Sequence, residues 1–310
     1  MKKEKISVIA TLYNRLEYAR NMVLSLMNQT LKIDELVFAD DGSREKVMDV
    51  IQDLIEKCSF EIKHVYQEDI GFRLARSRNN GAREAVGDFL IFLDQDVIMP
   101  NDFVEKIYNS RKEKRMISSR GILTSEEQKN KIQEIINKKY DYSKIYTVIP
   151  IKDDEEIKKR LRRDNLYRFL YKVKLRTRGA KIAGLIFALY KKDYIAINGF
   201  DDNYKGWGKE DDDFGNRFFK YGGETYPVSF EKFPIHMYHP VAPSKEESLN
   251  EKYYRKRKKE ISKNNYECIN GFFNSVDNDK IEVKTIKWLY KKIYWNKKIY
   301  KYFWRKNGWT

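Results

Sequence analysis

Two clusters of acidic side chains are the positions in this chain best suited to chemistry. Asp94-Gln95-Asp96 follows the apolar run Phe89-Leu90-Ile91-Phe92-Leu93, and Gly206-Trp207-Gly208-Lys209-Glu210-Asp211-Asp212-Asp213 lies more than a hundred residues further on. A strand that ends in Asp-x-Asp carries both carboxylates beyond the sheet edge. Hard oxygen donors there suit Mg²⁺ or Mn²⁺ and leave positions for water and substrate phosphates. Such an ion neutralises charge on a departing diphosphate. In the second cluster an aromatic platform, Trp207 between two glycines, stands beside carboxylates at a helix start. The helix dipole favours carboxylates there, but three consecutive aspartates exceed what capping requires. A flexible Gly-Trp-Gly turn leaves the indole exposed, as stacking on a sugar face demands. Metal, base and platform together point to group transfer onto a hydroxyl.

Three further groups are candidates. Asp40-Asp41-Gly42-Ser43 reads as a turn with a helix cap, or as a carboxylate accepting hydrogen bonds from a nucleotide base. Arg73, Arg76 and Arg78 precede Asn79-Asn80-Gly81. They form a solvated basic helix face, or reach a diphosphate through charge-assisted bonds. His236 and His239 are two of only three histidines in the chain, and neutral imidazole is a good Mn²⁺ ligand. His239 is the first choice for a third metal ligand, with His236 in reserve.

The elements that must position these groups alternate through the first hundred residues. Strands are expected at 5–10, 36–39, 61–66 and 88–93, and helices at 16–29, 47–55 and 73–86, from apolar spacing. Such βαβ alternation predicts a mostly parallel sheet flanked by helices, with ligands bound beyond the carboxyl ends of its strands. Both Asp40-Asp41 and Asp94-Gln95-Asp96 fall there. Residues 125–178 turn charged and helical, as an insertion or lid-like region. A strand at 181–190, a helix at 209–221 and a strand at 225–230 follow. The expected organisation is a catalytic domain at 1–244 and a basic, aromatic-rich helical extension at 245–310.

The chain has 310 residues, 41% hydrophobic and 35% charged, a globular composition with a net charge of +16;. Cys58 and Cys268 lack metal-type spacing and read as reduced thiols. No apolar run approaches the ~18 residues of a membrane span, and a cytoplasmic protein is expected. From Lys284 onward there are nine Lys or Arg and no acid, interleaved with Trp and Tyr. That pattern fits either a helix at an anionic membrane surface, on the inner face of the plasma membrane, or a basic helix packed on the domain.

Ala10-Thr11-Leu12-Tyr13-Asn14-Arg15, the Asn28-Gln29-Thr30 helix end and Asp40-Asp41-Gly42-Ser43 resemble the opening of family 2 glycosyltransferases. Gly71-Phe72-Arg73 through Asn79-Asn80-Gly81 and the Asp94-Gln95-Asp96 block continue the match and resemble bacterial chondroitin-type polymerases. The segment from Gly199-Phe200-Asp201 to Phe214 and Arg217 is similar to the C-terminal motif of β-1,4-galactosyltransferases. The resemblance covers residues 5–123 and 180–241. It implies a GT-A nucleotide-diphospho-sugar transferase fold, with Thr11, Tyr13, Asp40, Asp41, Arg73, Arg78, Asp94 and Gln95 around a UDP-sugar. It further implies metal on Asp94, Asp96 and His239, acceptor contacts from Trp207, Gly208, Glu210 and Asp212, and Asp211 as general base with Glu210 beside it. The implied partners are a UDP-sugar donor and a glycan or lipid-linked glycan acceptor. The competing readings are a nucleotidyltransferase on a similar sheet and a polyanion- or nucleic-acid-binding protein. The acidic clusters and the lack of a nucleic-acid motif speak against the latter.

Overall fold

The computed structural model of the chain describes residues 4–182, 184–240 and 249–286. Its opening follows the expected alternation: β1 (Ile6–Leu12), α1 (Glu17–Met27), β2 (Glu35–Asp40), α2 (Val47–Ile51), β3 (Glu61–Tyr66), α3 (Leu74–Glu84) and β4 (Phe89–Asp94). Every residue of β1 and β2 is buried, as strands covered by helices on both faces require. Because side chains alternate across a strand, Ala10, Leu36, Phe38, Ile91 and Leu93 join one core with Met22, Val23 and Leu26 of α1. Ile9, Val37, Ala39, Leu90 and Phe92 join the other, with Ala75 and Ala82 of α3. Those small alanines let α3 lie close on the sheet.

The remaining elements are β5 (Val97–Ile98), α4 (Phe103–Asn109), β6 (Arg115–Ser118), β7 (Ile122–Leu123), α5 (Glu126–Lys138), α6 (Tyr142–Tyr146), α7 (Ile151–Lys172), β8 (Ile186–Tyr190), α8 (Lys191–Ala196), α9 (Glu210–Lys220), β9 (Glu224–Pro227), β10 (Ile235–His236), α10 (Glu251–Ser262) and β11 (Glu282–Thr285). The main sheet runs β11-β3-β2-β1-β4-β8-β6-β9. Its β3-β2-β1-β4 centre is parallel, whereas β8 and β11 are antiparallel to their neighbours. A small sheet, β5-β10-β7, stands beside it.

Residues 125–178 are helical, as expected. α5 begins with a capping box in which Ser125 and Gln128 satisfy each other's backbone donors;. The strand foreseen at 181–190 is confined to β8; ahead of it Lys181 and Gly184 contact Asp212 and Asp211 of α9. In the described part of the C-terminal extension, α10 and the edge strand β11 both close on the domain. The basic aromatic stretch from 287 lies outside the described residues. None of the described helices is long and apolar enough to cross a membrane.

Candidate functional site

The parallel ladder sets the first half of the site. Thr11 and Asp94 are register partners on β1 and β4, and the Thr11 hydroxyl donates to Asp94 Oδ1 at 3.1 Å. Gln95 folds back onto the loop after β1. Its Oε1 accepts the Tyr13 amide at 3.0 Å and its Nε2 donates to the Asn14 carbonyl at 3.0 Å. Gln95 thereby shapes the loop that carries Tyr13, a residue 40% exposed.

Asp40 and Asp41 follow β2 into different roles. Asp40 accepts from the Ser43 amide at 2.8 Å and pairs with His64 Nε2 at 2.8 Å. Both contacts anchor the turn. Asp41 accepts from Gln67 Nε2 at 2.6 Å and from the Arg73 amide at 2.7 Å. Burial pushes its pKa up to about 6 against those two donors;.

Arg73 is ion-paired in this structure. Its guanidinium, 3% exposed, lies 3.1 Å from Asp277 and 3.0 Å from Asp279, and Arg76 is ion-paired with Asp279 as well. Both arginines are held by the segment leading into β11, so neither is an open diphosphate contact. An Asp-Asn-Asp triplet at 277–279, two acids close together after a stretch without Lys or Arg, was the signal for this contact.

Arg78 joins the two distant acidic clusters. Wholly buried on α3, it lies 2.9 Å from Asp211 Oδ1 and 3.3 Å from Asp94 Oδ1. It also donates to the Gly184 carbonyl at 3.0 Å and lies 4.9 Å from the centre of the Phe200 ring;. Its three acceptors explain a guanidinium buried so deeply, and they make it a strut between carboxylates. Gly184 in turn gives its amide to Asp211 Oδ2 at 3.1 Å. A Cβ on Gly184 would stand 2.2 Å from that oxygen, so the contact requires glycine.

The run of acids opening α9 divides its labour. Asp213 is buried against Arg217 at 2.6 Å, and Arg217 donates to the Ile197 and Gly199 carbonyls at 2.7 and 2.8 Å. This pair fastens α9 to the sheet, where Phe214 stacks on Phe200 with centroids 4.3 Å apart;. Asp212 pairs with Lys181 at 3.0 Å. Asp211 meets Arg78, and Glu210 is buried with Oε2 lacking a hydrogen-bond partner among the described residues. Burial, reinforced by the Asp211 charge, pushes the Glu210 pKa up to about 8. Ahead of the helix, Gly206, Gly208 and Lys209 all adopt positive φ, of 78°, 95° and 78°. A lysine there is strained. Asn250 donates to the Gly208 carbonyl at 2.9 Å, and Trp207 on this turn is 43% exposed.

The small sheet assembles a third group. His236 on β10 is the register partner of Val97 on β5, and the Met237 amide donates to the Asp96 carbonyl at 2.9 Å. Asp96, His236 and His239 each offer a ligand atom within 4.8 Å of the others. His236 Nε2 is 3.4 Å from Asp96 Oδ1, and His239 Nε2 is 3.2 Å from Oδ2. Burial opposes the charged form of Asp96, yet the two imidazoles outweigh it and hold its pKa below the usual carboxylate range. Asp96 Oδ1 has no hydrogen-bond partner among the described residues. A buried orphan oxygen between two imidazoles fits a divalent ion that accepts mixed oxygen and nitrogen donors, as Mn²⁺ does. Asp94, also expected among the ligands, is not in this group; its Oδ1 accepts from Thr11 and Arg78. Burial raises the Asp94 pKa against Arg78, and the Asp96 and Asp211 charges add to the rise. All three clusters therefore lie within electrostatic reach of one carboxylate.

Comparison with known proteins bears on the family and the fold. The family described as "Glycosyl transferase family 2" matches residues 7–196, and "N-terminal domain of galactosyltransferase" matches residues 164–240. The chain is 36% identical over 110 residues to a cholesterol galactosyltransferase of Borreliella burgdorferi, covering 36% of this chain and 30% of the relative. It is 27% identical over 263 residues to a chondroitin synthase of Escherichia coli, covering 78% of this chain and 35% of the relative. The chain thus spans about a third of the length of these curated relatives. Among solved structures, S. aureus TarS in complex with UDP-GlcNAc superposes with a TM-score of 0.54 at 10% identity, over 87% of this chain and 68% of that one. That likeness is one of fold, an α/β GT-A architecture with a largely parallel centre. By the match across most of the sheet and through β8, this chain belongs to glycosyl transferase family 2.

Proposed function

We propose that the chain is an inverting, metal-dependent transferase that moves a hexose or N-acetylhexosamine from a UDP-sugar to a sugar hydroxyl of a cell-surface glycan. The observation that carries this reading is the Arg78 strut, which brings Asp211 of the galactosyltransferase-like segment against Asp94 at the strand ends. The related proteins named for galactosyl transfer and chondroitin synthesis, and the fold neighbour bound to UDP-GlcNAc, support the donor and acceptor classes.

In this reading the nucleotide lies over the ends of β1, β2 and β4, with Asp41 facing the base and Thr11 and Tyr13 beside it. Asp96, His236 and His239 would hold Mn²⁺, which supplies positive charge for the leaving diphosphate when bound. Trp207 offers its face to the acceptor sugar. Asp211 takes the proton of the acceptor hydroxyl as that oxygen attacks the anomeric carbon from the side opposite UDP. Its carboxylate keeps acceptor capacity for this proton, since each oxygen carries two lone-pair sites and the structure fills one on each. General-base help contributes about 10²–10⁴-fold, and alignment of the two reactants up to roughly 7–11 kcal/mol. Glu210, buried beside Asp211 and protonated up to about pH 8, adds no second negative charge next to the base.

A panel of UDP-Gal, UDP-GalNAc, UDP-GlcNAc and UDP-Glc, hydrolysed with and without Mn²⁺, tests the donor class. Asp211→Asn should cut transfer by roughly 10²–10⁴-fold while UDP-sugar binding, read by calorimetry, persists. Loss of nucleotide binding in that variant would remove Asp211 from the role of base.

A further inference from the structure

A cavity of about 280 Å³ has Asp211 in its wall together with Arg176, Arg178, Lys181, Lys209 and Asp212, and no residue from the ends of β1, β2 or β4 lines it. Its volume is near the lower limit of ligand pockets, ~300–1,000 Å³, and suits one sugar unit with a substituent. The charges in its wall do not balance. Asp212 is countered by Lys181 at 3.0 Å, Lys209 by Glu251 at 2.9 Å, and Asp211 by Arg78 at 2.9 Å. The two remaining arginines have neutral partners. Arg178 donates to Asn216 Oδ1 at 2.9 Å, and Arg176 lies 4.0 Å from the centre of the Tyr167 ring with its Nε directed at the Arg178 carbonyl. Among the described residues neither is in salt-bridge contact with a carboxylate.

We infer that the acceptor carries an oxyanion, a carboxylate or phosphate close to the attacking hydroxyl, which Arg176 and Arg178 bind. The inference rests on the transferase reading above, because the cavity opens on the proposed base. The donor diphosphate is an unsuitable occupant, since neither the strand ends nor Asp96, His236 and His239 contribute to the cavity wall. Guanidinium forks match carboxylate and phosphate geometry, and such charge-assisted bonds are about twice as strong as neutral ones. The two loop arginines would therefore set acceptor choice without touching the reacting atoms.

The test uses the full chain with UDP and Mn²⁺ and matched probes that differ only in charge. These are methyl glucuronide against methyl glucoside, methyl galacturonide against methyl galactoside, and N-acetylglucosamine 6-phosphate against N-acetylglucosamine. Binding is read by saturation-transfer NMR titration. The charged member of at least one pair should bind tenfold or more tightly, with an advantage that shrinks as salt rises. In Arg176→Gln/Arg178→Gln the charged-to-neutral ratio should fall towards one. A preference confined to the uronides points to an acidic polysaccharide acceptor; one confined to the phosphate points to a sugar phosphate or lipid-linked sugar. Equal or undetectable binding across all pairs, with UDP-sugar hydrolysis intact, overturns this inference and leaves the transferase reading standing. Absence of both UDP binding and hydrolysis in the wild-type chain overturns both.

Discussion

On the strand side of the site, Thr11, Asp41 and Asp94 are placed by the parallel ladder, whose register puts the ends of β1, β2 and β4 level. On the helix side, Glu210 and Asp211 depend on a left-handed turn, a glycine contact and one guanidinium from α3. The first arrangement is a property of the whole sheet and survives local change. The second is a chain of single contacts, each of which can fail alone. Substitutions should therefore act more severely, and more selectively, on the helix side.

Arg78→Lys challenges that contrast most strongly. Arg78 meets Asp211 through one terminal nitrogen and Asp94 and Gly184 through the other, a span the single nitrogen of lysine does not reproduce. Breaking a buried ion pair costs about 3–5 kcal/mol. Part-exposure of both carboxylates moves the expectation to about 3 kcal/mol, read from urea unfolding. An unchanged midpoint would mean that the strut does not support the fold. Gly184→Ala is narrower. The added Cβ meets Asp211 Oδ2, and overpacking of this kind costs roughly 1–3 kcal/mol. Transfer should fall while UDP binding is retained, and equal loss of both would erase the distinction between the two sides.

The smallest effect is one of pH. Glu210 in the folded chain keeps a proton up to about pH 8, whereas its ordinary value is 4.5. The unfolded chain releases that proton first, so this contribution to stability is full below about pH 4.5 and declines as pH rises through 8. Asp41 declines likewise, but only up to about 6. Between pH 6 and 8 the fall should therefore be weaker in Glu210→Gln than in the wild type. Parallel slopes in urea midpoints at the two pH values would place the Glu210 proton elsewhere.

Much of the strand side could be read from the sequence because buried runs such as Phe89-Leu90-Ile91-Phe92-Leu93 and turn residues after them are local signals. The acidic start of α9 was equally visible as a pattern. What joins the two was not. Arg78 looked like one of three similar arginines, and only tertiary packing gives it Asp94, Asp211 and Gly184 while sending Arg73 and Arg76 to Asp277 and Asp279. The two-residue strands β5 and β10 are too short for any periodicity, yet they bring His236 to Asp96. Asp40 and Asp41 are indistinguishable as text; the direction each side chain takes from the end of β2 separates an anchor from a candidate contact.

The grip of Asp277 and Asp279 on the two α3 arginines bears on how the basic, Trp-rich end of the chain can be studied. A chain shortened at 278 would keep Asp277 but lack Asp279 and β11, leave Arg73 and Arg76 to share a single carboxylate, and bare the backbone amides of β3, an edge open to self-association. Failure of such a form to sediment with anionic liposomes would report damage at the far side of the sheet rather than lost lipid contact. Cutting after Ile286 leaves both in place, and makes the liposome result interpretable.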